Sequence, residues 1–278
     1  MDDLYSLLGR LEPGSTVLDL GCGRGSFYYE RCRGSIVAVD LILPDESNRR
    51  RQAAYVQADS NAIPLRDASV DVVVSHHTLE HFLDYKTTLS EIRRILSPKG
   101  WLWIAVPNGF GFDDGLYRSL FAGGGHVNRF AYQSLVKEVE SATQTRLVQS
   151  CDLFSSYIYL KKPPAEEQKY PRSSGFLSEI PGGFLTFSVL ALNTATRLVD
   201  KAFGTRYSQY GWAFVFVRQS MTVETMPSYF NVCRQCGAGN SAEFLKSSSS
   251  RVIFGLGSYR CPNCGERNVF VQPPASLQ

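Results

Sequence analysis

No stretch of this 278-residue sequence stays apolar for the ~20 residues that a membrane-spanning helix needs. The longest charge-free stretch near the middle, 180–196, is broken by Pro181, Gly182, Gly183, Ser188 and Asn193. No secretory leader is expected either, because Asp2 and Asp3 stand where a basic segment would have to be. A one-sided charge is also missing. Lys and Arg number 29 against 26 Asp and Glu, a net +3 that by itself gives no argument for a nucleic-acid partner. The excess sits in 230–278, with five basic side chains against two acidic, so 24 of each sign precede it. With 44% hydrophobic and 20% charged residues, a disordered chain, a collagen and a simple coiled coil are excluded. Histidine is scarce, four in all, and three of them (His76, His77, His81) crowd into one eight-residue string. Cysteine is an odd seven, four of them in two C-x-x-C pairs, which argues for a reducing, cytoplasmic setting and a metal site rather than a disulfide framework.

Short β-branched or aromatic runs recur at 17–20, 36–40, 55–57, 70–75 and 101–106. Uninterrupted runs of four to six residues suit parallel strands buried on both faces. Helical periodicity is predicted at 26–33, 79–96 (Leu89, Ile92 and Leu96 on one face) and 131–143, with a further helix at 185–203 and a last strand at 212–217. Strand–helix alternation of this kind predicts a doubly wound α/β domain over 1–228. Within it, 161–183 is rich in Pro, Gly, Ser and charge and is expected to be a loop or lid. The glycine-rich segment 108–130 is expected to be a mobile loop after the fifth strand. A smaller unit is expected over 229–272, with strands at AEFL, VIF and NVFV, and a frayed tail over 273–278.

The string VLDLGCGRG at 17–25 runs a strand into Gly21, Gly23 and Gly25. Glycines there admit left-handed backbone and let a ligand approach the chain closely. A dinucleotide loop would place its third glycine at 26, where Ser26 stands, and would not carry Asp19 inside the strand end, so the pattern argues against a nicotinamide cofactor. Asp40 closes the second strand, where a carboxylate can accept both hydroxyls of a ribose.

With these residues, the chain resembles the class I S-adenosylmethionine-dependent methyltransferases, in particular the small-molecule group that includes the ubiquinone O-methyltransferases. The resemblance implies a mostly parallel, seven-stranded Rossmann-like sheet. It implies that Asp19, Gly21, Gly23 and Gly25 wrap the methionine and ribose parts of S-adenosylmethionine. Asp40 would hold the ribose, Leu41 pack on the adenine, Asp59 and its neighbour Ser60 meet the adenine edge, and Ser75 and His76 lie at the methionine end. One departure stands out: after Asp40 the family has a helix, but LILPDESNRRRQ carries Pro44 and three arginines, so that helix is expected short or absent, with the arginines a solvated face.

Methyl transfer from a sulfonium needs an acceptor held in line and water kept out; an oxygen acceptor also needs a base, a role histidine fills near neutral pH. His126, in GGGHVNRF, is the first candidate for base or acceptor contact. His77 is a weaker one, and His81 is expected to be structural, although in some ubiquinone methyltransferases an equivalent Glu and His approach a divalent ion, which would here be Glu80 and His81. At the other end of the chain, Cys233, Cys236, Cys261 and Cys264, each pair followed by glycine, are predicted to hold one structural zinc as a zinc ribbon. The expected function is methylation of a small-molecule, lipid or glycan-precursor acceptor. RNA or protein methylation with the ribbon as reader, and a non-catalytic cofactor-binding scaffold, are the alternatives. Nucleic acid is not favoured as a partner, and the ribbon leaves room for a protein partner.

Overall fold

The computed structural model describes residues 4–121, 123, 125–154, 157–160, 182–218, 229–235, 238–248, 250–253 and 256–270. The strands are β1 (Thr16–Leu20), β2 (Ser35–Asp40), β3 (Ala53–Gln57), β4 (Val70–His76), β5 (Leu96–Pro107), β6 (Arg146–Phe154), β7 (Gln209–Val217), β8 (Tyr229–Val232) and β9 (Gly239–Ser241), followed by β10 (Ser250–Ile253), β11 (Leu256–Arg260) and β12 (Arg267–Phe270). The helices are α1 (Leu4–Gly9), α2 (Tyr85–Ile95), α3 (Phe112–Leu120), α4 (Tyr132–Thr143), α5 (Gly182–Phe203) and α6 (Ala242–Ser248). No described helix is long and apolar enough to cross a membrane.

The main sheet runs β3-β2-β1-β4-β5-β7-β6-β8-β9, nine strands where seven were expected. The two additional strands come from the cysteine-bearing segment: β8 pairs in parallel with Asp152–Phe154 at the end of β6, and β9 pairs antiparallel to β8. β10, β11 and β12 form a separate antiparallel sheet.

The chain divides into two compact units. The first comprises 1–106, 127–150 and 212–226. Its strands β1, β2, β3, β4 and β5 are parallel, and the register Asp19↔Val74 brings the carboxyl ends of β1 and β4 side by side. Its core joins Leu18, Val73, Leu102 and Ile104 from the strands to Leu89, Ile92 and Ile95 of α2, Leu135 and Val139 of α4, and Phe214 and Phe216 of β7. Each such side chain contributes ~1.5–3 kcal/mol on burial. Helix α2 starts later than its apolar pattern suggested, because Asp84 caps it by accepting the Thr87 N–H at 3.1 Å; Leu79–His81 before it is a single 3-10 turn.

The second unit comprises 107–126, 151–211 and 227–278. Segment 108–130, read as a loop, contains α3, whose first turn carries Asp113 and Asp114, the charge a helix N-terminus favours. AEFL, read as a strand, is the helix α6, with the Ser241 hydroxyl accepting the Phe244 N–H at 3.3 Å. The expected lid falls on residues outside the description, apart from the start of α5 at Gly182, and the expected frayed tail lies outside it as well.

Candidate functional site

In the first unit, the glycine loop follows β1 with Gly21, Gly23 and Gly25 at φ of 71°, 47° and 106°. The loop is pinned to the end of β2: the N–H groups of Gly21 and Cys22 donate to the Val39 carbonyl at 2.8 and 3.1 Å. Gly23 donates its N–H to Asp40 Oδ2 at 2.8 Å, and Ile42 donates to Asp40 Oδ1 at 3.1 Å. The loop and the acidic strand end predicted to share a ligand are therefore joined directly. A Cβ at Gly21 would lie 1.8 Å from Thr78 Cγ2, so the loop passes too close to the β4 end for any side chain.

The helix predicted over 26–33 is reduced to a 3-10 turn, Tyr29–Arg31. Asp19 explains this. Its Oδ2 accepts the Ser26 N–H at 3.0 Å and the Tyr29 hydroxyl at 2.6 Å, drawing the chain back over the strand end. Burial pushes the Asp19 carboxyl up, against the hydrogen bonds from Ser26 and Tyr29 that pull it down. The segment after Asp40 has only the 3-10 turn Glu46–Asn48, as expected from Pro44. The arginines are not all solvated. Arg50 lies over the Tyr29 ring at 5.7 Å, donates to the Arg24 carbonyl at 3.3 Å and pairs with Glu30 at 3.4 Å, so it braces the loop from outside.

Four buried polar atoms find no hydrogen-bond partner among the described residues and sit at or just after the ends of β1 and β4: Asp19 Oδ1, Ser75 Oγ, His76 Nδ1 and Glu80 Oε2. Buried polar groups are rarely left so unless a ligand or water completes them. Burial, helped by the neighbouring His77, lowers the His76 pKa to about 3, so its imidazole is neutral. His77 has φ of 54° and stands edge-on to His76, with its Nδ1 3.7 Å from Glu80 Oε1. His81 closes the 3-10 turn, its N–H donating to Thr78 O at 2.9 Å. Leu41 is 62% exposed beside Asp40, an apolar surface of the kind an adenine covers. Asp59 is exposed and accepts the Asn61 N–H at 2.9 Å, while the Ser60 hydroxyl is engaged with Thr88 at 2.9 Å.

These residues fit S-adenosylmethionine in kind: a glycine cradle for a close ligand, a carboxylate held for ribose hydroxyls, and buried groups for the polar methionine end. Residues 18–104 match the family described as a methyltransferase domain. The match takes in β1 to β5, less than half of the chain. Over 104 residues the chain is 36% identical to the malonyl-[acyl-carrier protein] O-methyltransferase of Pseudescherichia vulneris, covering 36% of this chain and 41% of that protein. It is 34% identical over 114 residues to a Mycobacterium tuberculosis H37Rv protein named "probable S-adenosylmethionine-dependent methyltransferase", covering 38% and 42%. The chain thus spans about two-fifths of these curated relatives. In fold, it superposes on a solved Bacillus halodurans C-125 chain with a TM-score of 0.51 at 17% identity, over 78% of this chain and 97% of that one. It also superposes on the [4+2]-cyclase SpnF with a TM-score of 0.50 at 12% identity, over 78% and 80%. The matched segment contains the glycine loop, Asp40 and the β4 end. Tyr29, Thr78 and Arg50, which hold the loop in shape, carry no signature in the string itself.

In the second unit, His126 Nδ1 lies 2.7 Å from Oδ1 of the fully buried Asp114, whose Oδ2 accepts Arg118 Nε at 2.5 Å. Tyr117 stacks on the His126 ring at 4.8 Å. Burial would raise the Asp114 carboxyl, but the hydrogen bonds from His126 and Arg118 outweigh it and hold it below its usual range. An ionised Asp114 accepts from Nδ1–H, so the ring proton sits on Nδ1 and Nε2 is the basic nitrogen. The sequence signal of Asp114, an acidic pair at a helix start, is masked by the glycines around it.

The cysteine turns lie in the same unit. Ligand atoms of Cys233, Cys261 and Cys264 fall within 4.8 Å of one another, with Cys233 and Cys264 sulfurs 3.6 Å apart. Cys236 lies outside the described residues. Both turns close alike: Cys233 N–H donates to Ala238 O at 2.9 Å and Cys261 N–H to Glu266 O at 2.8 Å.

Proposed function

We propose that this protein transfers a methyl group from S-adenosylmethionine to a small-molecule, lipid or glycan-precursor acceptor. The observation that carries this reading is the bond between the Gly23 N–H and the Asp40 carboxylate, which sets glycine loop and ribose acceptor in one fixed frame. The similarity to a malonyl-[acyl-carrier protein] O-methyltransferase supports an oxygen acceptor on a small or lipid-like molecule. When bound, S-adenosylmethionine supplies a methyl already activated on sulfonium sulfur. Asp40 would accept the ribose hydroxyls, Leu41 would cover the adenine, and Asp19, Ser75 and His76 would meet the methionine end. Asp59 and Ser60 complete the proposed adenine edge. A neutral His76 at the sulfonium end adds no positive charge beside a cationic donor. An oxygen acceptor loses its proton on methylation, and the Asp114-oriented His126 is built for that loss, with His77 the weaker candidate. Cys233, Cys236, Cys261 and Cys264 would hold one structural zinc.

Calorimetry tests the donor. S-adenosylmethionine should bind the full chain, and Asp40→Ala should weaken it roughly 10–100-fold, the loss of ~1.5–3 kcal/mol expected for hydrogen bonds to a charged acceptor. Binding of NAD in place of the adenosyl donor would overturn the reading.

A further inference from the structure

The metal reading accounts for the cysteines but not for Asn268, a buried amide wedged between the two cysteine turns. Its Nδ2 donates to Cys233 Sγ at 3.3 Å and to the Glu266 carbonyl at 2.9 Å. Its Oδ1 accepts the N–H of Arg234 at 2.8 Å. Arg234 belongs to the first turn and Glu266 closes the second, so one side chain uses both ends of its amide to tie the turns together. Strand register puts it there: β12 runs antiparallel to β11, with Asn268 opposite Tyr259. An ion pair between Arg234 and Glu266, and Arg234 Nε donating to the Arg267 carbonyl at 3.0 Å, span the same gap nearer the surface.

We propose that Asn268 is a positioning residue of the cysteine metal centre, setting the spacing of the two turns and orienting the Cys233 sulfur through an N–H···S bond. The inference rests on the zinc reading above. Cys233 is fully buried and also receives the Gln235 N–H at 3.4 Å, whereas Cys264 is exposed. Donors of this kind orient a ligating sulfur and hold it in place for a metal. The two sulfurs are therefore set differently: Cys233 is buried and receives two N–H donors, and Cys264 is exposed.

The experiment uses the full chain. Metal content is measured first, then zinc release to a colorimetric chelator for the parent, Asn268→Ala, Asn268→Asp and Arg234→Gln. Release should quicken about 10–100-fold in Asn268→Ala, the usual effect of removing an outer-shell partner. It should quicken further in Asn268→Asp, which sets a carboxylate against the sulfur. Arg234→Gln keeps the backbone N–H and the amide bond to sulfur, so it should release close to the parent rate. Cobalt replacing zinc gives a readout that mere loosening does not move: loss of the N–H···S bond should shift the sulfur-to-cobalt charge-transfer band to lower energy in Asn268→Ala. Parent-like release and an unmoved band in that variant would overturn the role of Asn268 while leaving the zinc reading intact. A parent chain that carries and takes up no metal would overturn the zinc reading, and this inference with it.

Discussion

His76 ends β4 with its imidazole held neutral, and this makes the protein's stability depend on pH. The folded pKa of about 3 lies below the ordinary 6.5 because burial disfavours the charged ring. Between those values the unfolded chain binds a proton that the folded chain does not. Its contribution to stability is therefore complete above about pH 6.5 and is lost as pH falls towards 3. Urea midpoints measured at pH 7.5 and 5 should show a drop in the parent that shrinks in His76→Asn. An equal drop in both would contradict the assignment. At the same scale, His126→Gln removes the basic nitrogen that Asp114 orients. Turnover, read as release of the demethylated donor, should fall about 10²–10⁴-fold if His126 is the base, with donor affinity unchanged. A rise in KM alone would make it an acceptor-positioning residue instead.

Helix α2 shows how an element supports the site without touching a ligand. Leu89 is fully buried in the cluster that contains Leu18 and Leu20 of β1, the strand that delivers the glycine loop. Leu89→Ala should cost about 2–5 kcal/mol, seen as a lowered denaturant midpoint with little change in the slope. This is the level at which the sequence was most readable. Strands β1, β2, β4 and β5 were visible as apolar runs because a sheet buried on both faces leaves little room for polar residues. The glycine loop was visible because its left-handed backbone restricts residue choice. Elsewhere local competition overrides the pattern in the sequence. Asp19 captures Ser26 and Tyr29 and cancels a helix that periodicity suggested. Gly115 and the neighbouring glycines masked α3, where the acidic first turn prevails over poor propensity. Phe244 and Leu245 looked like a strand in AEFL, but a serine cap and a helix-forming Ala-Glu start decide otherwise. Tyr29, Thr78, Asp114 and Asn268 act through tertiary contacts, which no spacing along the chain encodes.

At the scale of the molecule, the two units draw their stability from different sources. The first has one broad apolar cluster drawn from strands and helices. Around the cysteines the second has a small one, built on Phe154, Tyr229, Leu245, Tyr259 and Phe270. A cluster of that size gains much from a bound metal, which favours the folded form by mass action. Removing zinc with a chelator should therefore raise hydrogen exchange in peptides from 229–270, while S-adenosylmethionine binding at the glycine loop persists. Unchanged exchange after complete metal loss would show that the cluster stands by itself.

The close approach of Gly21 to the methyl of Thr78 has an evolutionary consequence. Two obstacles hold position 21 at glycine: its left-handed backbone and a neighbour's carbon 1.8 Å from where a Cβ would stand. Thr78→Ser deletes that carbon and keeps the hydroxyl that donates to the carbonyls of Gly21 and His76. A lineage that acquires serine at 78 first meets, when alanine later arises at 21, the backbone strain and the milder contacts with the remaining Cβ and hydroxyl at 3.0 and 3.1 Å; one that acquires alanine first meets the 1.8 Å overlap as well. The order of the two substitutions, rather than either alone, decides whether the loop survives them.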